Sequence, residues 1–427
     1  MLIITAPGQG AQTPGFLAPW LELPGVAERL GAASELAGCD LIRFGTTANA
    51  DEIRDTAVAQ PLLVAAAIVA ASALSGSALS WSALSGSALS GGDPGDVAAD
   101  GAAGHSVGEL AAGVIAGVLA ADDAMRLVRV RGTAMAAASA VEPTGMTAVL
   151  GGEAEAVLAA IASKGLTPAN VNGAGQIVAA GTLADLEAFA AAPPAGARLR
   201  PLQVAGAFHT GHMASAVAAL RDAAAGIPVR DPAMTLLSDA DGAAVTTGKE
   251  WLERIIAQVA APVRWDLCMR TMADLGVTAI IELPPAGTLA GLARRALPGV
   301  AQLAIKTPDQ LDAARELIAE HLADSDRHSH GHLPEWRLIV APTSGTFRSP
   351  AGRGDAAATG AMVALTADLG TVVARGGQRA VAAPWPAEII EWLVEDGDPV
   401  SDGQPLVRVQ PQGGPGGWVP QGRREGA

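Results

Sequence analysis

Ser106 stands between Gly104 and Gly108 in the stretch GHSVGEL. A serine hydroxyl becomes a useful nucleophile only with a base in reach and a backbone that lifts it clear of its neighbours. The G-x-S-x-G spacing meets the second condition where a strand turns sharply into a helix, because glycines on either side leave room for the turn. Taken alone, five such residues in so Gly- and Ala-rich a chain are more readily an ordinary turn. Seven histidines are present, and four lie in the polar stretch 321–337. That leaves His105, His209 and His212 as candidate bases. His105 adjoins the serine and cannot easily swing its ring onto it, and His212 falls on an outward surface. His209, at the junction of an apolar strand-like run and a helix-like run, is the base expected, in a cleft between two subdomains.

A third group comes from DDAMRLVRVRGTAMAAA, residues 122–138. At about 100° per residue, Ala124, Leu127, Val128, Arg131 and Met135 share one stripe, with Arg126 and Arg129 on the other side. Arg131 therefore points with the apolar face. A buried guanidinium needs an internal carboxylate or an anionic ligand, and its planar fork suits a substrate carboxylate.

The elements that must position these groups follow from pattern. MLIITAPGQG reads as a first strand ending in a glycine turn, and residues 96–102 as a strand leading into the Ser106 elbow, with a helix over 107–119. From Gly145 the rhythm changes to β-α-β-β-α-β, with the last strand spanning ARLRPLQVAGAF, the order of a ferredoxin-like unit inserted into a larger α/β domain. Alternation of helix and strand resumes at Met213 and includes the apolar strand VTAIIEL.

The whole chain sets further bounds. It has 427 residues, half of them apolar, enough for two or three domains in a globular, soluble protein. A net charge of −15 and the lack of any Lys/Arg block argue against nucleic acid or an anionic membrane as partner. Only Cys39 and Cys268 are present, which makes no disulfide framework, and the N-terminus lacks a signal-peptide shape, so the cytoplasm is the expected compartment. The uncharged run from Val58 contains a strongly apolar segment, Pro61–Leu74, too short for a membrane span and expected as a buried core helix. The repeat SALSGSALSWSALSGSALS, residues 72–90, is expected as a surface loop insertion. HSHGH at 328–332 lacks the further ligands of a metal site, and residues 323–337 read as a polar linker.

The sequence resembles the malonyl-CoA:acyl carrier protein transacylases. PGQGAQ (Pro7–Gln12), QPLLVAA (Gln60–Ala66), GHSVGE, Arg131-Gly132, NGAGQIVAAG (Asn172–Gly181), GAFHT (Gly206–Thr210), PVRW (Pro262–Trp265) and ELPPAGTLAGL (Glu282–Leu292) occur in family order over roughly residues 3–310. The resemblance implies an α/β-hydrolase-like core with a parallel sheet, residues 1–142 and 210–322, and the ferredoxin-like subdomain over 143–209. It implies Ser106 as acyl-accepting nucleophile, His209 as base, the backbone N–H groups of Gln12 and Val107 as oxyanion hole, and Arg131 on the malonyl carboxylate. It also implies a main-chain carbonyl at Arg264 orienting the histidine, and an acyl pocket containing Gln60, Phe208, Asn172 and Gln176. The implied partners are malonyl-CoA and acyl carrier protein, with no cofactor and no metal, in a two-step acyltransferase reaction for fatty-acid or polyketide synthesis. An α/β serine esterase or thioesterase shares the elbow but normally has a carboxylate behind its histidine and no use for Arg131. A methylmalonyl-type acyltransferase is the other alternative, and a bulky Phe208 disfavours it.

Beyond the linker, residues 338–411 resemble a biotinyl or lipoyl domain in APTSGTFRSP and the stretch LGTVVARGGQRAVAAPWPAEIIEWLVEDGDPVSDGQPLVRV. The resemblance places the attachment lysine at a hairpin tip that here has Gly376. No lysine follows Lys306, so neither biotin nor lipoate can be attached in the usual way. Residues 412–427 read as a disordered tail.

Overall fold

A computed structural model describes residues 1–75, 99–204, 206–330, 337–350, 358–374, 376–384 and 386–411. Most of the serine-rich repeat and the 412–427 tail therefore lie outside the described residues, although the repeat's first residues, Ser72–Leu74, end a helix that begins at Thr56. The chain divides into two units, residues 1–322 and 323–427.

In the first unit the strands are β1 (Leu2–Ala6), β2 (Gly101–Gly104), β3 (Thr144–Gly151), β4 (Thr167–Gly173), β5 (Gln176–Thr182), β6 (Ala197–Pro201), β7 (Thr235–Leu237), β8 (Ala244–Val245), β9 (Ala279–Glu282) and β10 (Ala301–Ala304). Six of them form one sheet in the order β10-β9-β1-β2-β7-β8, parallel except for the β8 edge. Parallel strands are covered on both faces, which is why β1 reads as the unbroken apolar run LIITA, buried throughout. The period of two then sorts side chains between layers. Ile3, Ala103, Leu237 and Ile280 face a cluster with Trp265, Met272 and Leu289, whereas Leu2, Ile4, Ala102, Leu236 and Ile281 face the larger cluster on the opposite side.

That larger cluster contains the helix Thr56–Leu74, the one described helix long and apolar enough to cross a membrane; most of it is buried inside the protein. It packs on the helix Ala121–Ser139. Its low amphipathicity follows from having protein on every side.

β3 to β6 form a second, antiparallel sheet in the order β4-β5-β3-β6, with the helices Ala154–Ser163 and Leu183–Ala190 completing a β-α-β-β-α-β sequence. Val149, Val157, Ile161, Ile177 and Phe189 fill its own small core. The last strand is shorter than the run assigned to it, ending at Pro201, with one further bond to β3 from Leu202 N to Met146 O (2.9 Å). On the edge away from β6, β4 is bonded to the larger domain: Val171 N donates to Val263 O (2.8 Å) and Val263 N to Ala169 O (2.9 Å).

The polar segment expected as linker begins as helix, since Leu311–His330 is continuous; Ala, Leu and Glu up to residue 323 favour the helix, which runs on into the polar residues after them. In the second unit, strands β11 (Arg337–Val340), β12 (Gly345–Arg348), β13 (Met362–Val363), β14 (Asp368–Ala374), β15 (Gly377–Ala382), β16 (Ala387–Trp392), β17 (Pro399–Val400) and β18 (Pro405–Pro411) make two four-stranded antiparallel sheets, β11-β18-β16-β13 and β15-β14-β12-β17. Phe347, Leu369, Val372, Leu406 and Val407 lie fully buried between them. β14 and β15 close a hairpin where Ala374 pairs Gly377, leaving Gly376 at its tip.

Candidate active site

Open parallel sheets present their functional groups beyond the carboxyl ends of the strands. Here the loop after β1 carries Gln12, the loop after β2 carries Ser106, and the chain just past β7 carries Asp239. Ser106 sits in the left-handed region (φ 54°) between β2 and the helix Gly108–Ile115. The flanking glycines serve close approach: a Cβ on Gly104 would strike the Glu109 backbone, and one on Gly108 the Ala6 carbonyl. Gly108→Ala should accordingly lower folding stability by about 1–3 kcal/mol, read as a drop in denaturation midpoint; an unchanged midpoint would show that the turn has slack.

The structure brings Ser106 and His209 together from 103 residues apart, with Oγ 2.7 Å from Nε2. His209 is also left-handed (φ 60°) and buried, with its backbone N–H bonded to Val259 O at 3.2 Å. Its Nδ1 lies 2.8 Å from the Gln258 carbonyl. A carbonyl can only accept, so Nδ1 carries the proton and Nε2 is left as the acceptor for the serine hydroxyl. Burial, and next the positive charge of Arg131, push the imidazole pKa down to about 3, so it is neutral and free to take a proton.

The carbonyl that orients His209 is thus Gln258's, and the expectation for Arg264 is corrected. Arg264 N donates to Asp239 O (2.6 Å), and its guanidinium pairs with Asp266. Gln258 ends the helix Gly248–Gln258, where the last carbonyls lack intrahelical partners and are available to another donor.

Arg131 is buried on the stripe its periodicity predicts. Nη2 donates to Gln258 Oε1 (2.8 Å) and reaches Ser106 Oγ (3.3 Å). Nη1 is buried and has no hydrogen-bond partner among the described residues. Burial lowers its pKa to about 10 against the opposing pull of Asp239 and Glu109, which leaves it charged at neutral pH. The guanidinium therefore has a donor to spare beside the nucleophile.

A cavity of about 410 Å³ opens onto Ser106 and His209 and is lined also by Gln12, Gln60, Phe208, Asn172 and Gln176, with His105 and Met135. His105 has separate work: its Nε2 meets Asn172 Oδ1 (2.8 Å), and Asn172 Nδ2 donates to Gln176 Oε1 (3.0 Å), tying the elbow to β4 and β5. His212 lies apart, half-exposed, with Nδ1 3.4 Å from Glu142. Gln60 Nε2 contacts Met135 Sδ, and its Oε1 is buried without a described partner. The Gln12 side chain is engaged with Ile53 O and Gly10 N, while among the described residues neither the Gln12 nor the Val107 N–H has an acceptor within the protein.

Three residues of this site were not expected from the sequence. Gln258 gives no signal, since it acts partly through its main chain. Asp239 closes an apolar strand, a position where polar groups commonly reach a site. Glu109, a lone carboxylate in the otherwise apolar helix start VGELAAGVI, is the one that composition flags as a buried charge.

Comparison with known proteins gives the family. A family model described as "Acyl transferase domain" matches residues 37–308. The malonyl CoA-acyl carrier protein transacylase of Mycobacterium tuberculosis is 51% identical over 317 residues, covering 74% of this chain and all of the relative. That of Escherichia coli K12 is 32% identical over 318 residues, covering 73% of this chain and 97% of the relative. Among solved structures, MCAT from Mycobacterium tuberculosis superposes with a TM-score of 0.67, covering 73% of this chain and 99% of that one. A type II PKS acyl-carrier protein in complex with its malonyl-transacylase gives 0.64 at 28% identity, covering 74% and 99%. The chain belongs to the acyl transferase family, among the malonyl CoA-acyl carrier protein transacylases.

Proposed function

We infer that this protein transfers a malonyl group from malonyl-CoA to the phosphopantetheine thiol of acyl carrier protein, feeding fatty-acid or polyketide synthesis from the cytoplasm. The observation that carries the inference is the Ser106 Oγ to His209 Nε2 contact of 2.7 Å with a spare guanidinium donor beside it. The relatives' shared name supports the two substrates.

Ser106 attacks the thioester carbonyl as His209 Nε2 takes its proton, and the imidazolium formed is steadied by Nδ1–H on the Gln258 carbonyl. The oxyanion lies on the Gln12 and Val107 N–H groups, a contribution of about 3 kcal/mol per donor. The carbon–sulfur bond breaks, CoA leaves as the thiol with the proton held by His209, and malonyl-Ser106 remains. The carrier thiol then attacks this ester, giving its proton to His209, which returns it to Ser106 Oγ. Arg131 holds the malonyl carboxylate throughout, and Phe208, with Gln60, Asn172 and Gln176, bounds the acyl chain. No cofactor or metal enters these steps.

A serine esterase is the weaker reading, because a backbone carbonyl and no carboxylate stands behind His209. The direct test is intact-mass measurement after mixing with malonyl-CoA. A single malonyl increment on the peptide containing Ser106 supports transfer, and rapid hydrolysis without an increment supports the esterase.

We read β3 to β6 with their helices as a ferredoxin-like subdomain and residues 338–411 as a biotinyl/lipoyl-like module without its lysine. Every residue assigned to the reaction precedes Glu282. A chain ending at Asp324 should therefore retain malonyl transfer, and the full chain should show no biotin or lipoyl mass increment. Loss of transfer in the folded shorter chain would bring the module into the reaction.

A further inference from the structure

Beneath Ser106 lie two fully buried carboxyl groups that the reaction above does not use. Asp239 Oδ2 accepts the Ser106 N–H (2.7 Å), and Glu109 Oε1 accepts the Asp239 N–H (2.8 Å). Both converge on one amide nitrogen. Gln258 Nε2 lies within hydrogen-bond reach of Glu109 Oε2, of both Asp239 oxygens (2.9 and 3.1 Å) and of Ser106 O (3.1 Å).

An amide nitrogen has only two hydrogens for these acceptors. The nearest cation, Arg131, bonds to the other end of the Gln258 amide and to Ser106. Two ionised carboxylates packed this closely away from water would repel strongly with a single positive charge one residue removed. One proton between them relieves the repulsion and leaves one negative charge against Arg131. Burial raises both carboxyl groups above their ordinary values; Asp239 accepts the fixed Ser106 N–H and has Gln258 Nε2 within reach of both its oxygens, so it is the better-supported anion and the proton belongs on Glu109. The other titratable groups near the pair, His105, His209 and Cys268, are neutral at pH 7 by the direction of their own shifts.

We propose that Glu109 and Asp239 share a single proton below the nucleophile, and that the carboxylate this leaves on Asp239 positions the Ser106 elbow and the Gln258 amide for the acyl transfer. Ser106 is then gripped through both its main-chain groups: N–H by Asp239, and C=O by Gln258 and the Glu109 N–H. Left-handed backbone of this kind costs about 1–3 kcal/mol and persists only where its surroundings over-determine it. The same grip sets the direction of the Val107 N–H that follows. Gln258 passes the arrangement to His209 through its carbonyl and to Arg131 through its amide oxygen. Glu109 and Asp239 are positioning residues, since neither meets the substrate.

This inference rests on the acyl-transfer reading, and the test separates the two. Asp239→Asn keeps the shape and removes the charge; it should lower kcat/KM for malonyl loading about 10- to 100-fold, the value of a charge-assisted buried hydrogen bond. Glu109→Gln imitates the protonated carboxyl, donating through its amide; its loss should be much the smaller of the two. Infrared difference spectra of the full-length protein at pH 7 should show a carboxylic-acid C=O band that Glu109→Gln removes, a signature that packing alone does not produce. An unchanged band in that variant, a loss as deep as that of Asp239→Asn, or undiminished loading in Asp239→Asn would overturn the proposal. Should Asp239→Asn fail to fold, the band and the loading rate of Glu109→Gln still decide it. Wild-type protein that never loads malonyl would instead sink the functional reading while leaving the infrared result intact.

Discussion

Ser106→Ala should show no malonyl increment by intact mass, and its transfer to carrier protein should fall by on the order of 10⁴-fold or more. The substitution removes one oxygen and keeps the Cβ, so the turn, the Asp239 contact to the backbone N–H and the circular dichroism spectrum should be preserved. What disappears is the atom 2.7 Å from His209 Nε2. Undiminished labelling would remove Ser106 from the mechanism. His209→Ala should lower both half-reactions by about 10²- to 10⁴-fold, because one base serves both thiol exchanges; a loss confined to one half-reaction would require a second base.

Arg131→Ala should act on substrate choice. Malonyl-CoA brings a carboxylate to the spare guanidinium donor, and charged hydrogen bonds of this kind contribute about 1.5–3 kcal/mol each. Loss of this contact therefore lowers kcat/KM for malonyl loading by about 10- to 10²-fold. Acetyl-CoA has no carboxylate to lose and should be affected much less, so the malonyl to acetyl ratio collapses. Equal losses for both thioesters would mean that Arg131 serves only to hold Gln258 and to offset the carboxyl pair beneath it.

The two variants probe residues of different legibility. Ser106 announces itself locally, because G-x-S-x-G is a demand of a few adjacent backbone atoms on one another. Arg131 is legible one level up, from a helical period that places a charge on an apolar face. His209 could be chosen because few histidines compete. The left-handed backbone of His209 and its Gln258 partner are visible in neither pattern.

By itself, the sequence determined the alternation of helix and strand, the elbow, the buried stripe carrying Arg131, the inserted β-α-β-β-α-β order and the absence of any lysine after Lys306. All of these depend on residue type over a few to about twenty positions, where periodicity and turn chemistry act. Only the tertiary structure decided which carbonyl orients His209, which donor of Arg131 is left free, and that Glu109 and Asp239, 130 residues apart, converge on one amide. A main-chain carbonyl is the same group in every residue, so identity and spacing carry no trace of its use. Contacts between distant segments are set by how strand ends and helix ends meet at the edge of a sheet.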